Sequence, residues 1–392
     1  MKIKPTALII GAGFTGCALA YDLTLRGFSV TVVDRGEICS GTSGRTHGVL
    51  HSGARYCVND PEAARECIDE NIILRKIARQ CIEFNRGIYL AILEEELAYK
   101  EDFKAGAEKC HVPARWMDPE EILSLEPKIN PKVLGGFEVP EGSFDPLRLG
   151  LAFAASARNR GAVFLPYHQV EAVRVGGSGQ VDQVTVLNRH SNQPVQLQAD
   201  ITINAAGAWA GKICSLAGVS VPVVPSPGVM VAFEKRMSDL VLSRLSLPGD
   251  GDIIIPQRRM SVIGTTSFEV QDADYIPVDP DQVDAMVKRA VEIMPAIKNV
   301  NIRASYMSAR PLIQTGSDVR SLSRTFKCYD HEADQGLRGF VTITGGKATT
   351  CRVMAEKTAD LICQKMSMTV PCQTGEMELD SYRTFYHQQA AQ

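Results

Sequence analysis

The stretch that most constrains this chain is 7–34, ALIIGAGFTGCALAYDLTLRGFSVTVVD. Ala7-Leu8-Ile9-Ile10 is a short apolar run of the kind that forms a buried parallel strand. Gly11, Gly13 and Gly16 follow with G-x-G-x-x-G spacing. The first glycine permits a tight turn, the second lets a pyrophosphate approach the backbone, and the third lets the following helix pack closely on the strand. Ala20, Leu23 and Gly27 continue at helical spacing, and Val30, Val32 and Val33 make a second apolar strand ending at Asp34. That carboxylate is placed to accept hydrogen bonds from a ribose diol. The bland alternative is a βαβ unit whose glycines serve packing alone. The ordered succession of strand, triplet, helix, strand and acid favours dinucleotide binding. A carboxylate at Asp34 repels a 2′-phosphate, which disfavours NADP and leaves NAD and FAD open.

At 392 residues the chain has room for more than one domain. A net charge of −3 gives no electrostatic case for nucleic acid. No apolar run is long enough to span a bilayer. The first strand begins close to Met1, so no signal peptide is expected. The eleven cysteines are scattered without a C-x-x-C pair, which argues against a zinc or iron–sulfur site, and no metal is expected. Free thiols fit a reducing cytoplasm.

After Asp34 and Arg35, residues 39–56 read CSGTSGRTHGVLHSGARY, too rich in Gly and Ser for a regular element. Arg45, His47, His51, Arg55 and Tyr56 place polar groups on this stretch, beside the nucleotide-binding turn. Asp60-Pro61 opens a helix to about Gln80. A strand is expected over 88–92. Glu94-Glu95-Glu96 reads as a solvated acidic face. A helix follows over 118–126, a strand over 135–139 and a helix over 147–161. Short strands come next, with a hairpin across Gly176-Gly177-Ser178-Gly179. Residues 199–207 form an apolar strand ending at Ala205-Ala206-Gly207, a second ligand-approaching turn. From Val223 to Pro311 alternating strands surround one helix over 280–294, the texture of a mostly antiparallel sheet. Finally Gly339-Phe340-Val341-Thr342-Ile343-Thr344-Gly345-Gly346-Lys347 runs from a strand into paired glycines and a helix over 348–366. Glycines at a helix start would leave free N–H groups suited to an anionic flavin or substrate group. This second, distant contact and the Arg45 loop suit the extended cofactor FAD rather than NAD.

Taken together, IIGAGFTGCALAYDLTLRGFSVTVVDR, GTSGRTHGVLHSGARY, NAAGAWA, RPL and GFVTITGGKATTCRVMAEKTAD resemble the FAD-dependent glycerol-3-phosphate dehydrogenases, most closely the catalytic A subunits of the anaerobic bacterial enzymes. HSGARY and TITGGK are the most specific pieces. The resemblance implies an α/β fold of glutathione-reductase type, with a Rossmann-like FAD domain and an inserted antiparallel substrate domain. It places FAD binding in 1–85, 146–222 and 336–372, substrate binding in 86–145 and 223–335, and a C-terminal tail over 373–392. It assigns FAD contacts to Gly11, Gly13, Phe14, Thr15, Gly16, Asp34, Arg35, Thr42, Ser43, Arg45, His47, Gly48, Ala206, Gly207, Gly345, Gly346, Lys347 and Ala348. It assigns substrate contacts to Arg55, Tyr56, Arg310 and Lys347, whose three cations suit a phosphate dianion.

Two departures stand out. Those catalytic relatives carry a further C-terminal module with clustered cysteines, which residues up to Gln392 do not include. The family's lysine before a glycine in the substrate domain is replaced by Pro225-Ser226-Pro227-Gly228, so the pocket is expected to differ there.

The resemblance implies oxidation of sn-glycerol 3-phosphate to dihydroxyacetone phosphate by hydride transfer to flavin N5. His51 is the first candidate for the base that accepts the hydroxyl proton, and His47 the second. Arg310 is expected in the catalytic set. Two rivals remain: an FAD-dependent 2-hydroxy-acid or amino-acid oxidase on the same fold, and a non-catalytic FAD-binding electron-transfer subunit. Without an iron–sulfur cluster or a membrane span, the electron acceptor is expected to be a partner protein or a quinone-linked subunit. The chain is expected in the cytoplasm, with peripheral association at the inner face of the membrane.

Overall fold

The computed structural model describes residues 4–276, 278–314 and 324–387. Its organising layer is a six-stranded sheet in the order Phe326–Asp330, Phe340–Gly345, Ile201–Asn204, Thr6–Ile10, Ser29–Val33, Val163–Leu165. Every pair is parallel except the first, at the edge. Parallel strands need cover on both faces, and Thr6–Ile10 shows how the sequence supplies it. Ala7 and Ile9 join a core with helices Phe14–Leu25, Pro146–Arg158 and Cys351–Lys365. Leu8 and Ile10 point the other way. They meet Val173, Val184 and Val186 of a three-stranded meander (His168–Val175, Val181–Asn188, Gln193–Leu197) and Cys214 of helix Ala210–Leu216.

The second layer is an eight-stranded sheet: Ile302–Ile313, Val223–Phe233, Met260–Gly264, Ile253–Gln257, Val241–Arg244, Gly87–Ala91, Gly135–Val139, Arg115–Met117. It is antiparallel apart from Val241–Arg244 beside Gly87–Ala91. Helix Pro280–Ile293 buries Met286, Ala290 and Ile293 against it. Two Asp-Pro starts cap as read: Asp60 accepts a hydrogen bond from the Ala63 N–H and Asp145 from the Arg148 N–H, at 3.3 and 3.1 Å, whereas Asp118 opens its helix without a side-chain cap.

Several expectations change. Phe326–Asp330, read within the substrate range 223–335, pairs instead with Phe340–Gly345 in the nucleotide sheet. Val241–Arg244 escaped the sequence reading because a strand of four mostly buried residues carries little periodicity. Glu96 is not part of a solvated face. It is buried, receives the Ile92 and Leu93 N–H groups at 2.8 and 3.0 Å, and pairs with Arg244. The last long helix starts at Cys351 rather than Ala348. Gly345 and Gly346 have φ of 86° and 68°, and a turn closed by the Thr350 hydroxyl, which accepts from the Lys347 N–H at 3.0 Å, separates them from the helix. The glycines therefore serve a left-handed turn, not a helix N-terminus. The end of the tail, residues 388–392, lies outside the described residues.

The helix Pro61–Ile77 is tied to Cys351–Lys365 by the buried pair Glu70–Arg352, with the Arg352 Nε–H 2.9 Å from Glu70 Oε2. Burial pushes the Glu70 carboxyl up, against the pull of Arg352. Removing one partner strands a buried charge, which typically costs about 3–5 kcal/mol. Arg352→Met should therefore lower the unfolding free energy by that order, and the double change Glu70→Gln/Arg352→Met should recover part of it. Chemical denaturation of the three variants measures both effects.

Candidate active site

Because five strands of the six-stranded sheet run parallel, their carboxyl ends fall on one edge. Gly11, Asp34, Ala205-Ala206-Gly207 and Gly345-Gly346 meet there. A cavity of ≈ 940 Å³ opens at this edge and extends under the eight-stranded sheet.

The glycine turn is shaped by contact. Gly11 has φ of 109°, and a Cβ on it would sit 2.6 Å from the Ala205 carbonyl oxygen. A Cβ on Gly16 would fall 1.8 Å from the Gly11 oxygen, so Gly16 sets the approach of helix to strand and does not itself line the cavity. Gly13 precedes helix Phe14–Leu25 without a side-chain cap, and a Cβ there would press on the Ser43 hydroxyl at 2.9 Å. Ser43 Oγ accepts the Phe14 N–H at 3.0 Å. Asp34 accepts the Ala12 and Gly36 N–H groups at 2.7 and 2.9 Å, one on each carboxylate oxygen. Burial pushes its carboxyl up while these donors oppose the shift. Each oxygen retains a lone pair for a ribose hydroxyl.

Of the residues assigned to the cofactor, all but Gly16 and Gly48 line the cavity. A Cβ on Gly48 would strike Gln257 Nε2 at 2.1 Å and the Phe144 oxygen at 2.5 Å, so this position holds the loop against the second sheet. Thr42 Oγ1 donates to the Ala309 oxygen at 2.7 Å, another bridge between the layers. Arg35 lies over the Trp209 ring, 4.3 Å from its centroid, and pairs with Asp274 at 2.6 Å. Arg45 is exposed at the cavity wall.

The far end of the cavity collects the cations. Arg310, on Ile302–Ile313, donates to Thr265 Oγ1 and the Thr266 oxygen, both at 2.9 Å. It occupies space left by Gly228, where a Cβ would come within 2.4 Å of its NH2. Gly228, the glycine this stretch keeps, thus makes room for this guanidinium. Burial first, then the neighbouring Arg324, pushes Arg310 down to about 9. Burial lowers Arg324 as well. Among the described residues, neither guanidinium forms an ion pair with a carboxylate.

Arg55, assigned to the substrate by the resemblance, lines the same cavity and has a carboxylate partner. Its guanidinium is locked by Asp252 at 2.9 and 3.0 Å. Burial works against its charge, but Asp252 outweighs it and raises Arg55 above the ordinary range. Lys347 donates to the Arg324 oxygen at 2.7 Å and lies 5.0 Å from the centre of the Tyr56 ring. Arg324 and Asp252 were missed from sequence. Neither lies in a motif, and each becomes visible only when distant segments converge.

His51 is buried and lines the cavity, with its ring edge-on to His47 at 5.8 Å and to Tyr56 at 5.6 Å. His47 Nδ1 accepts the Val49 N–H at 3.2 Å. Burial, then His51, holds His47 well below the usual imidazole range.

A cleft lined by a bare glycine turn, the acid Asp34 and a second glycine turn has the makings of a flavin dinucleotide oxidoreductase. The chain belongs to the family described as FAD dependent oxidoreductase, whose model matches residues 6–361. It is 38% identical over 380 residues to the A subunit of the anaerobic glycerol-3-phosphate dehydrogenase from Escherichia coli (strain K12), covering 95% of this chain and 69% of that one. The corresponding protein of Haemophilus influenzae is 37% identical over 383 residues, covering 96% and 68%. In fold the chain is similar to the FAD-complexed glycerol-3-phosphate dehydrogenase from Bacillus halodurans, with a TM-score of 0.71 at 21% identity, covering 100% of this chain and 71% of that one. It is also similar to glycine oxidase from Geobacillus kaustophilus, with a TM-score of 0.76 at 20% identity, covering 96% and 99%. FAD is the cofactor of this family, and the cradle formed by Gly11, Gly13, Asp34, Ser43 and Gly345-Gly346 fits it.

The uncompensated guanidiniums make a thermal prediction. A cation whose folded-state pKa is depressed costs stability at neutral pH, and that cost is relieved only as pH rises through the folded value of about 9. Arg310→Met should therefore melt higher than wild type when both hold FAD in phosphate-free buffer. Added inorganic phosphate should raise the melting temperature of wild type more than that of Arg310→Met. Differential scanning calorimetry of the two proteins decides it.

Proposed function

We propose that this chain is an FAD-dependent glycerol-3-phosphate dehydrogenase, oxidising sn-glycerol 3-phosphate to dihydroxyacetone phosphate. The observation that carries the reading is the pair Arg310 and Arg324, half-buried in the wall of the cleft without a carboxylate ion pair among the described residues. A phosphate dianion supplies the missing negative charge, and two guanidiniums offer it paired N–H donors. A carboxylate monoanion, as in a hydroxy-acid or amino-acid substrate, would leave part of that charge uncompensated. The names of the curated relatives agree with this substrate.

Bound FAD supplies the hydride acceptor. The chain supplies the rest. Arg310 and Arg324 hold the phosphate, while Asp252 keeps Arg55 rigid beside it. Lys347 and Tyr56 close the wall. His51 takes the proton of the reacting hydroxyl. His47 is the weaker candidate, because its burial disfavours the protonated form that a base must reach and its Nδ1 is already occupied.

Among the described residues, no helix is long and apolar enough to cross a membrane. The electrons of the reduced flavin leave, on this reading, to another polypeptide, in line with the subunit designation of the relatives.

Arg310→Ala should lower kcat/KM for glycerol 3-phosphate roughly tenfold to 150-fold, since a hydrogen bond to a charged group contributes about 1.5–3 kcal/mol and 1.4 kcal/mol is a decade. FAD content should be unchanged, and equal rates would remove Arg310 from the substrate site. Anaerobic addition of glycerol 3-phosphate should bleach the flavin, which excludes a non-catalytic role. Reoxidation by air should be much slower than turnover with an electron-accepting dye. Air reoxidation at the turnover rate, with stoichiometric hydrogen peroxide, would instead make the protein an oxidase.

A further inference from the structure

At the cavity wall two buried polar atoms have no hydrogen-bond partner among the described residues: Nδ1 of the lining residue His51 and Glu141 Oε2. They face each other at 3.7 Å. An orphaned buried carboxylate oxygen is costly, and two orphans aimed at one another form an unclosed contact. We propose that Glu141 is the positioning residue of the proton-accepting histidine. It receives the Nδ1–H of His51, fixes the tautomer in which Nε2 is free to accept, and stabilises the imidazolium once the hydroxyl proton has moved to Nε2. The proposal rests on the reading of His51 as the base.

The surroundings of Glu141 hold it in place for this work. It lies in the turn between Gly135–Val139 and Gly142–Phe144, and it is 1% exposed. Its other oxygen, Oε1, accepts the Ser52 hydroxyl at 3.1 Å and the Tyr89 hydroxyl at 3.5 Å. Arg75 donates to its backbone oxygen at 2.7 Å. The stem passes over Gly87, where a Cβ would come within 2.6 Å of both Glu141 Cβ and Cγ, so a side chain there would displace the acid. Both hydroxyl contacts thus fall on Oε1, and Oε2 is left for His51. The ring itself is steadied by His47 and Tyr56 on its edges, while the backbone N–H of His51 donates to Thr349 Oγ1 at 3.1 Å. Charged groups lining the same end of the cavity are the cations Arg55, Arg310, Arg324 and Lys347 and the acids Asp60 and Asp250. Glu141 is the carboxylate in contact with the ring itself. A catalytic hydrogen bond that is long without ligands and tightens on substrate binding is common in such sites.

The test uses the full chain loaded with FAD and follows anaerobic flavin reduction by glycerol 3-phosphate in a stopped-flow instrument from about pH 5 to 9, spanning the imidazole range. A base must be neutral to accept, so the rate falls on the acid side. A neighbouring carboxylate moves that limb to higher pH by favouring the imidazolium. Glu141→Gln should lower the limiting reduction rate about ten- to hundredfold, a part of the roughly 10²–10⁴ that a positioned proton acceptor contributes. It should also move the acid limb to lower pH and leave half-saturation by substrate unchanged. His51→Asn should be slower still, with no acid limb from the ring. If His51→Asn reduces as fast as wild type, the base assignment itself fails. If His51→Asn is slow while Glu141→Gln keeps the wild-type rate, or is slow with an unmoved limb, the positioning role fails and the base stands. Should Glu141→Gln not retain flavin, Glu141→Asp decides. It keeps the charge but draws the oxygens back by one methylene, and should slow reduction with the limb near its wild-type position; an unchanged rate would overturn the proposal.

Discussion

The structure depends on how closely the first glycine turn lies against its neighbours. Gly11 rests on the backbone of Ala205, and Gly16 rests on Gly11, with no room at either place for a single methyl group. Those two contacts bring strand Ile201–Asn204, strand Thr6–Ile10 and helix Phe14–Leu25 to a common edge. The cleft exists because the backbones approach there without side chains between them. At that edge the backbone of the glycine turn and the N-terminus of helix Phe14–Leu25 line the cleft, which suits a pyrophosphate.

The second layer solves a different problem. It brings several arginines to the cavity, and they differ in whether a carboxylate reaches them. Arg55 and Arg310 show the two outcomes side by side. Asp252 neutralises Arg55 and makes it a rigid wall. Among the described residues Arg310 has only hydroxyl and carbonyl oxygens as hydrogen-bond partners, so its charge remains available and its burial remains uncompensated. Strain of this kind is what a binding site keeps in reserve: the ligand supplies what the fold withholds. His51 sits where the two layers touch, between the cofactor cradle and the cationic end, with Glu141 behind it.

Much of this was legible in the chain. The βαβ fingerprint, the small-residue stretch 39–56, Ala205-Ala206-Gly207 and the paired glycines at 345–346 each follow an apolar strand, and local spacing is enough to read them. Helices opened by Asp-Pro were equally plain, because capping is settled within a single turn. Local spacing failed where a residue's environment comes from far away. Glu96 looked solvated in a run of three acids, yet Arg244 and the backbone of its own first turn hold it inside. The paired glycines looked like a helix start, but their positive φ angles make a turn first.

The sequence alone determined that a dinucleotide would be held on a parallel sheet, since glycine spacing and apolar runs are local properties. Only the tertiary structure decided which charges are free. Arg55 and Arg310 are the same side chain, and nothing near either in sequence says that Asp252 will reach the first while hydroxyl and carbonyl oxygens surround the second. Nor does anything near Glu141 say that it will end 3.7 Å from His51. Charge pairing in a buried site is set by a few ångströms between segments far apart in the chain, and those distances exist only after the two sheets have packed.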